Sequence, residues 1–401
     1  MRILFLVHRC PHPPMGGDRI RSLRFLEHMS TLGSVHLATL CEKDVSEESK
    51  RTLGALCSGT TLVRWGRFRR WIRGAFSFFM GKPVTEGMFG DPILKKKIRE
   101  LAKKESFDVV FVFCSSMFQY AKLFDARRTK IIVDLVDVDS QKWFDYAQKT
   151  RGWRKLIFRS EGRRLRRLEQ KIAHESDFQI VVTQEEADLY RSFAPGDFLT
   201  PIRNGVDLNF FSPPEKVEKI PFRAVFTGVM SYRANIDGIE WLAKNVLGRV
   251  RESIPDFELD VVGRDPSAAL HDLARRVPGL NIIGEVPDIR PYLFRAEVAL
   301  IPLRIARGIQ NKVLEACAAK LPVVASPPAV EGIKAEPKRD LLVCDGADAW
   351  VETLVELFSN AELKRRLGTA GRCMAERWYT WENQLKKLDE ILMKEKRLAK
   401  K

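Results

Sequence analysis

The chain has 401 residues, and 68 Lys and Arg against 52 Asp and Glu leave a formal charge of +16. With 45% apolar and 30% charged residues it reads as globular, neither disordered nor fibrous, and residues 2–7 are too short a run for a secretory leader. No apolar run is long enough to span a membrane, and seven scattered cysteines without a Cys-x-x-Cys spacing argue against a disulfide framework or structural zinc, so a cytoplasmic protein is expected.

The pattern along the chain is strand and helix in alternation. Residues 2–7 form a continuous apolar run, followed by turn chemistry at Pro11, Pro13, Pro14, Gly16 and Gly17 and a helical pattern to residue 32. Further strands are predicted at 35–40, 109–113, 131–136 and 178–182. Continuous apolar strands between helices predict a parallel sheet covered on both faces. A Pro-bearing stretch, Phe211-Ser212-Pro213-Pro214, reads as a linker. A second series follows, with strands at 224–227, 259–262, 281–283, 298–301, 322–325 and 341–343 and helices at 236–252, 309–320 and 347–358. The closing segment from 378 is helix-prone and basic. Two α/β domains in tandem are expected, joined near residues 204–215.

Residues 1–200 hold 36 Lys and Arg against 24 Asp and Glu, while the remainder holds 32 against 28. That excess points to an anionic partner of the first half: phosphate, nucleic acid or acidic lipid. Two basic stretches stand out. Residues 64–73 interleave five arginines with Trp65, Phe68 and Trp71, and 151–171 carry nine cations and two glutamates. In the latter, Phe158, Leu165, Leu168 and Ile172 share one helical stripe. Such segments suit either an anionic membrane surface or a solvated helix packed on a core.

The most informative segment runs from Ile301 to Ala316. A strand ends near Leu303, Gly308 permits a tight turn, and a helix starts beyond it. Its N-terminus offers free N–H groups and a partial positive charge to an anion. Arg304, Arg307 and Lys312 add full charges there. Lys312 and Glu315 share a helical face, as a diphosphate and ribose pair of contacts or as a solvated ion pair.

Arg307-Gly-Ile-Gln-Asn-Lys-Val-Leu-Glu-Ala316 with Leu321-Pro-Val-Val-Ala-Ser326 resembles the donor-binding helix and following strand of family 4 retaining glycosyltransferases. Phe226–Tyr232 with Asn235, Val262-Gly263-Arg264, Asn204-Gly205-Val206-Asp207 and residues 134–140 are similar to that family's other landmarks. The nearest subgroup is the sugar transferases found with bacterial exosortase and exopolysaccharide systems. The resemblance implies a GT-B fold, two Rossmann-like domains facing across a cleft: an acceptor domain at 1–205, a nucleotide-sugar domain at 206–377, and a final helix at 378–398 returning to the first. It implies a retaining, metal-independent hexosyl transfer from a UDP- or GDP-sugar to a glycan or lipid-linked acceptor. The expected place is the inner face of the plasma membrane, with no cofactor and no nucleic acid partner.

Residue by residue, Glu315 matches the ribose-binding glutamate of the family. Arg307 stands where the family has its first glutamate, and touches the diphosphate rather than the sugar in this reading. Lys312 matches the lysine of relatives whose helix begins Gly-x-x-x-Lys. Gly16 and Gly17 match the glycine-rich loop, and Gly228, Asn235, Arg264, Arg304 and Gly308 complete the expected donor site. Asn235 reads first as a helix cap, and Arg264 also reads as a surface arginine. Val136 takes the place of the family's histidine, leaving Asp137 to orient or deprotonate the acceptor. Asp134, Asp137 and Asp139 also suggest a cation, since hard ions favour oxygen ligands. His8 and His12 flank the glycine loop as structural or surface residues. A catalytically silent sugar-nucleotide binder and a nucleic-acid-binding protein are the alternatives.

Overall fold

The computed structural model describes residues 1–396 apart from Lys149, Pro195, Asp197 and Arg307, and apart from the side chain of Arg67. The chain divides into two compact units, Met1–Ile202 together with the chain from Leu385, and Arg203–Gln384.

The strands of the first unit are β1 (Arg2–Val7), β2 (Ser34–Cys41), β3 (Gly59–Arg64), β4 (Val109–Phe113), β5 (Lys130–Val136), β6 (Phe178–Val181) and β7 (Leu199–Pro201). They pair in parallel in the order β3-β2-β1-β4-β5-β6-β7. Central strands such as β4, Val-Val-Phe-Val-Phe, are buried at every residue, because crossover helices cover both faces. One face packs Leu4, Leu6, Val110, Val112 and Val133 against Leu94, Ile98 and Ile172 of the flanking helices.

The second unit repeats the plan. Its strands are β8 (Arg223–Thr227), β9 (Glu258–Val262), β10 (Leu280–Gly284), β11 (Val298–Ile301), β12 (Val323–Ala325) and β13 (Leu342–Val343), parallel throughout, in the order β10-β9-β8-β11-β12-β13. In both sheets the order reverses at the first strand: β1 lies between β2 and β4, and β8 between β9 and β11. Doubly wound sheets of this kind bind ligands at the carboxyl ends of the strands flanking that reversal.

Several elements differ from the sequence expectation. β3 and β7 carry no clear apolar run: β3 is Gly-Thr-Thr-Leu-Val-Arg at the sheet edge, and β7 has three residues. The helix expected from 236 starts earlier, as Arg233–Leu242, and passes through a π-helical turn, Ala243–Leu247, into Gly248–Ser253. Its boundary residue Tyr232 makes no side-chain cap, so the usual start signal is missing. The last helix is Trp381–Met393, shorter than 378–398, and the expected residues 397 and 398 lie outside the described residues. Within the first unit, Asp389 meets His28 Nε2 at 2.5 Å and the Leu392 carbonyl accepts from Lys130 Nζ at 2.9 Å. Among the described residues no helix is long and apolar enough to cross a membrane.

Candidate active site

In the second unit, β8 and β11 end side by side and each feeds a helix. After β8 come Gly228 and the helix Arg233–Leu242; after β11 comes the turn at Gly308 and the helix Asn311–Ala318. Gly308 has φ 66°, a left-handed conformation that glycine adopts without penalty. Lys312, in the first turn of Asn311–Ala318, donates from Nζ to Asn235 Oδ1 at 2.7 Å and sits 4.3 Å above the Phe226 ring. Asn235 Nδ2 in turn donates to the Val229 carbonyl at 2.8 Å. A Cβ at Gly228 would stand 2.8 Å from Asn235 Nδ2 and 2.9 Å from Lys312 Nζ, so a side chain there would have to push both groups aside.

Asn235 is therefore not the helix cap that its position suggested. It lies inside the helix, buried, and its amide orients the lysine. Among the described residues Lys312 gives its side-chain hydrogen bond to that amide and not to Glu315. The Glu315 carboxylate, one turn further along, makes no hydrogen bond among the described residues. Burial pulls the Lys312 ammonium down to about 7, against the opposing pull of Glu315. Burial likewise pushes the Glu315 carboxyl up to about 7, with Lys312 working against it. Pairs displaced in this way are enriched at functional sites. The sequence singled out the lysine; Phe226 entered only as the first residue of the Phe226–Tyr232 landmark, and its place beneath the lysine was not legible, because an aromatic in a buried strand reads as core. Asn204, from the Asn-Gly-Val-Asp stretch, donates to Asn311 Oδ1 at 3.0 Å and braces the first residue of the same helix.

The other expected donor residues scatter. Arg304 is exposed and faces Asp237 at 3.7 Å. Arg264 follows β9; its carbonyl accepts from Met230 N–H at 2.8 Å, its Nε is buried without a hydrogen bond, and its charge lies 3.9 Å from Asp265. Arg307 lies outside the described residues.

In the first unit, Gly16 and Gly17 open the helix Gly17–Leu32, Gly16 with φ 116°. His8 is buried, 3.4 Å from Asp18 and stacked on Phe113, and His12 meets Ser49 Oγ at 2.8 Å. Burial alone would raise the Asp18 carboxyl, but His8 and Arg9 outweigh it and hold the group below the usual carboxylate range. The three aspartates at the end of β5 do not form a cation site. Asp134 is fully buried and committed to Arg21, whose Nε donates to it at 2.7 Å, and it also accepts from Val136 N–H at 3.0 Å. Asp139 lies 3.4 Å from Lys142. Among the described residues no cluster of three or more His, Cys, Asp or Glu is arranged to hold a metal. Asp137 is what remains. Val136, a β-branched residue, adopts φ 66° where the β5–β6 register shifts, which turns the chain at the strand end. The Asp137 carboxyl makes no hydrogen bond among the described residues, and burial raises it above the usual range, opposed by Lys142 and reinforced by Asp139.

The amphipathic stretch 151–171 splits. In the helix Trp153–Glu175, Leu165, Leu168 and Ile172 pack into the core, whereas Trp153, Leu156 and Ile157 at its start are exposed. Residues 64–73 split likewise, with Trp65 buried and Phe68, Trp71 and Ile72 exposed.

The fold has close counterparts among solved structures. Sucrose-phosphate synthase from Thermosynechococcus elongatus superposes with a TM-score of 0.70 at 18% identity, over 98% of each chain. HepE from Anabaena, in complex with UDP, gives 0.69 at 14% identity over 98% of this chain and 99% of that one. WaaG, a glycosyltransferase involved in lipopolysaccharide biosynthesis, gives 0.68 at 13% identity over 98% and 100%. The chain has the GT-B fold. Within the second GT-B unit, residues 221–360 match the family described as Glycosyl transferases group 1. No curated protein sequence matches the chain. The matched segment runs from just before β8 to just after the helix Ala347–Ser359, and so contains Lys312, Asn235, Gly228 and Glu315. Together these likenesses support a GT-B glycosyltransferase.

Proposed function

We propose that the protein is a retaining glycosyltransferase that moves a sugar from a UDP- or GDP-sugar to a glycan or lipid-linked acceptor, in the synthesis of bacterial exopolysaccharide or another cell-surface glycan. Within the family 4 enzymes it stands nearest the exosortase-associated subgroup. The reaction takes place at the inner face of the plasma membrane. The observation that carries this reading is the Lys312 ammonium held on Asn235, beside Gly228 and one turn from Glu315, whose carboxylate makes no hydrogen bond among the described residues, at the strand-order reversal of the second unit.

The donor diphosphate lies on Lys312 and the N-terminus of Asn311–Ala318, and Glu315 accepts hydrogen bonds from the nucleotide ribose. Retaining hydrolases use a carboxylate nucleophile close to a second carboxylate; here no carboxylate is assigned that role, and the transfer is a front-face displacement. The bond from the anomeric carbon to the phosphate oxygen breaks, its electron pair leaving with the diphosphate. The acceptor oxygen bonds to the same carbon from the same side, and its proton passes to the departing phosphate oxygen. Lys312, joined by Arg307, balances the negative charge that grows there, without a metal. Asp137 positions the acceptor hydroxyl. HepE, solved with UDP and with UDP-glucose, supports UDP as the first donor to try.

The test is turnover of UDP- and GDP-sugars, with and without added acceptor. Lys312→Ala is expected to lower transfer by roughly 10²–10³-fold, the scale of one lost transition-state charge contact. Wild-type turnover in that variant overturns the assignment. Nucleotide binding without even slow donor hydrolysis favours the silent binder instead.

A further inference from the structure

A cluster in the first unit is left unused by this chemistry. Arg9 follows β1, Arg19 lies in the first turn of Gly17–Leu32, Arg70 lies on the helix Arg67–Phe79, and Glu42 follows β2. The three guanidinium groups converge on the one exposed carboxylate of Glu42, at 3.6 Å from Arg9, 3.7 Å from Arg19 and 3.8 Å from Arg70. None of these is a hydrogen bond. Arg19 and Arg70 make no side-chain hydrogen bond at all among the described residues, and the Nε atoms of Arg9 and Arg70 are buried without a hydrogen-bond partner there. Arg9 alone has a second acid, Asp18 at 3.1 Å. Three planar donor forks around one exposed acid form a site with more donors than acceptors, and phosphate oxygens match that geometry. The cluster sits at the carboxyl ends of β1 and β2, where doubly wound sheets take their ligands.

The helix that supplies Arg70 has a second face. Phe68, Trp71, Ile72, Phe76 and Phe79 follow helical spacing and are bare, Phe68 being 78% exposed, Phe76 65% and Phe79 85%. No acidic residue occurs from 64 to 85. Arg164 of the helix Trp153–Glu175 donates to the Phe78 carbonyl at 2.6 Å, and the start of that helix bears exposed Trp153 and Leu156 among Arg154, Lys155 and Arg159. An apolar face this large, flanked by cations and free of acids, fits an anionic bilayer.

The geometry points to a binding site at Arg9, Arg19 and Arg70 for the phosphate or diphosphate of an amphiphilic, lipid-linked acceptor, with the aromatic face of Arg67–Phe79 seating that site on the membrane. The inference rests on reading the first unit as the acceptor side. Glu42 keeps the site closed until a more highly charged group displaces it.

Binding is measured by calorimetry with farnesyl diphosphate and with inorganic pyrophosphate, and by flotation with vesicles of phosphatidylglycerol or of phosphatidylcholine alone. Arg19→Ala and Arg70→Ala are each expected to weaken farnesyl diphosphate about tenfold, the scale of one charge-assisted contact. Glu42→Gln is expected to tighten it, a gain that misfolding does not produce. The Phe68→Ser/Phe76→Ser variant keeps farnesyl diphosphate binding and loses flotation with phosphatidylglycerol vesicles. Unchanged affinity in Arg70→Ala and Glu42→Gln overturns the site. Pyrophosphate binding as tightly as farnesyl diphosphate, with flotation intact in the Phe68→Ser/Phe76→Ser variant, identifies a free-phosphate site and overturns the lipid assignment. Neither readout requires a sugar donor, so loss of transferase activity and loss of this site are told apart.

Discussion

Lys312 and Glu315 titrate near neutrality, each displaced by burial toward its uncharged form. A bound diphosphate favours the ammonium, so binding takes up a proton above about pH 7 and weakens by up to about tenfold per pH unit beyond it. A ribose hydroxyl favours the carboxylate, so binding releases a proton below about pH 7 and weakens toward acid. UDP affinity is therefore expected to peak near pH 7. Calorimetry across that range checks it: Lys312→Met should remove the alkaline limb and Glu315→Gln the acid limb, and a flat profile in the wild type counts against both roles. At this scale the sequence supplied the lysine and the glutamate through their spacing. It did not supply Asn235 as the organiser of the lysine, because an asparagine near a helix start looks like a cap. It chose Asp137 over Asp134 only through the resemblance; the physical reason, that Arg21 has claimed Asp134, needed the fold.

Arg21 also fixes elements. It leaves the helix Gly17–Leu32, grips Asp134 at the end of β5 and donates to the Ile202 carbonyl beyond β7 at 2.9 Å. Both charged groups are fully buried. Arg21→Met strands the carboxylate and is expected to cost about 3–5 kcal/mol in urea unfolding, whereas Arg21→Met/Asp134→Leu regains most of it. Equal losses in the single and double variants would remove the pair from the fold's support. Long buried strands such as β1 and β4 were legible because continuous apolar runs leave few alternatives. β3 and β7 were not: an edge strand with one solvated side and a three-residue strand are held by their neighbours' hydrogen bonds rather than by their own side chains.

Each unit has its own sheet and core, so two unfolding transitions are expected in calorimetry. UDP at a hundredfold its Kd adds about 2.7 kcal/mol to whichever unit holds it, a shift of roughly 5–10 °C for a domain of this size. Only the transition of Arg203–Gln384 should move, and a shift confined to the other transition places the nucleotide on the wrong unit. The tandem α/β plan was readable from the alternation of strands and helices; the aromatic face of Arg67–Phe79 needed the structure, which separates bare Phe68 from buried Trp65. Parallel strands also give every unit a quiet rim. All the chemistry described gathers where strands finish, so the turns where they begin, such as exposed Pro255-Asp256 ahead of β9, are free for grafting. A reporter peptide inserted there reads the protein's whereabouts in a cell while leaving its work untouched.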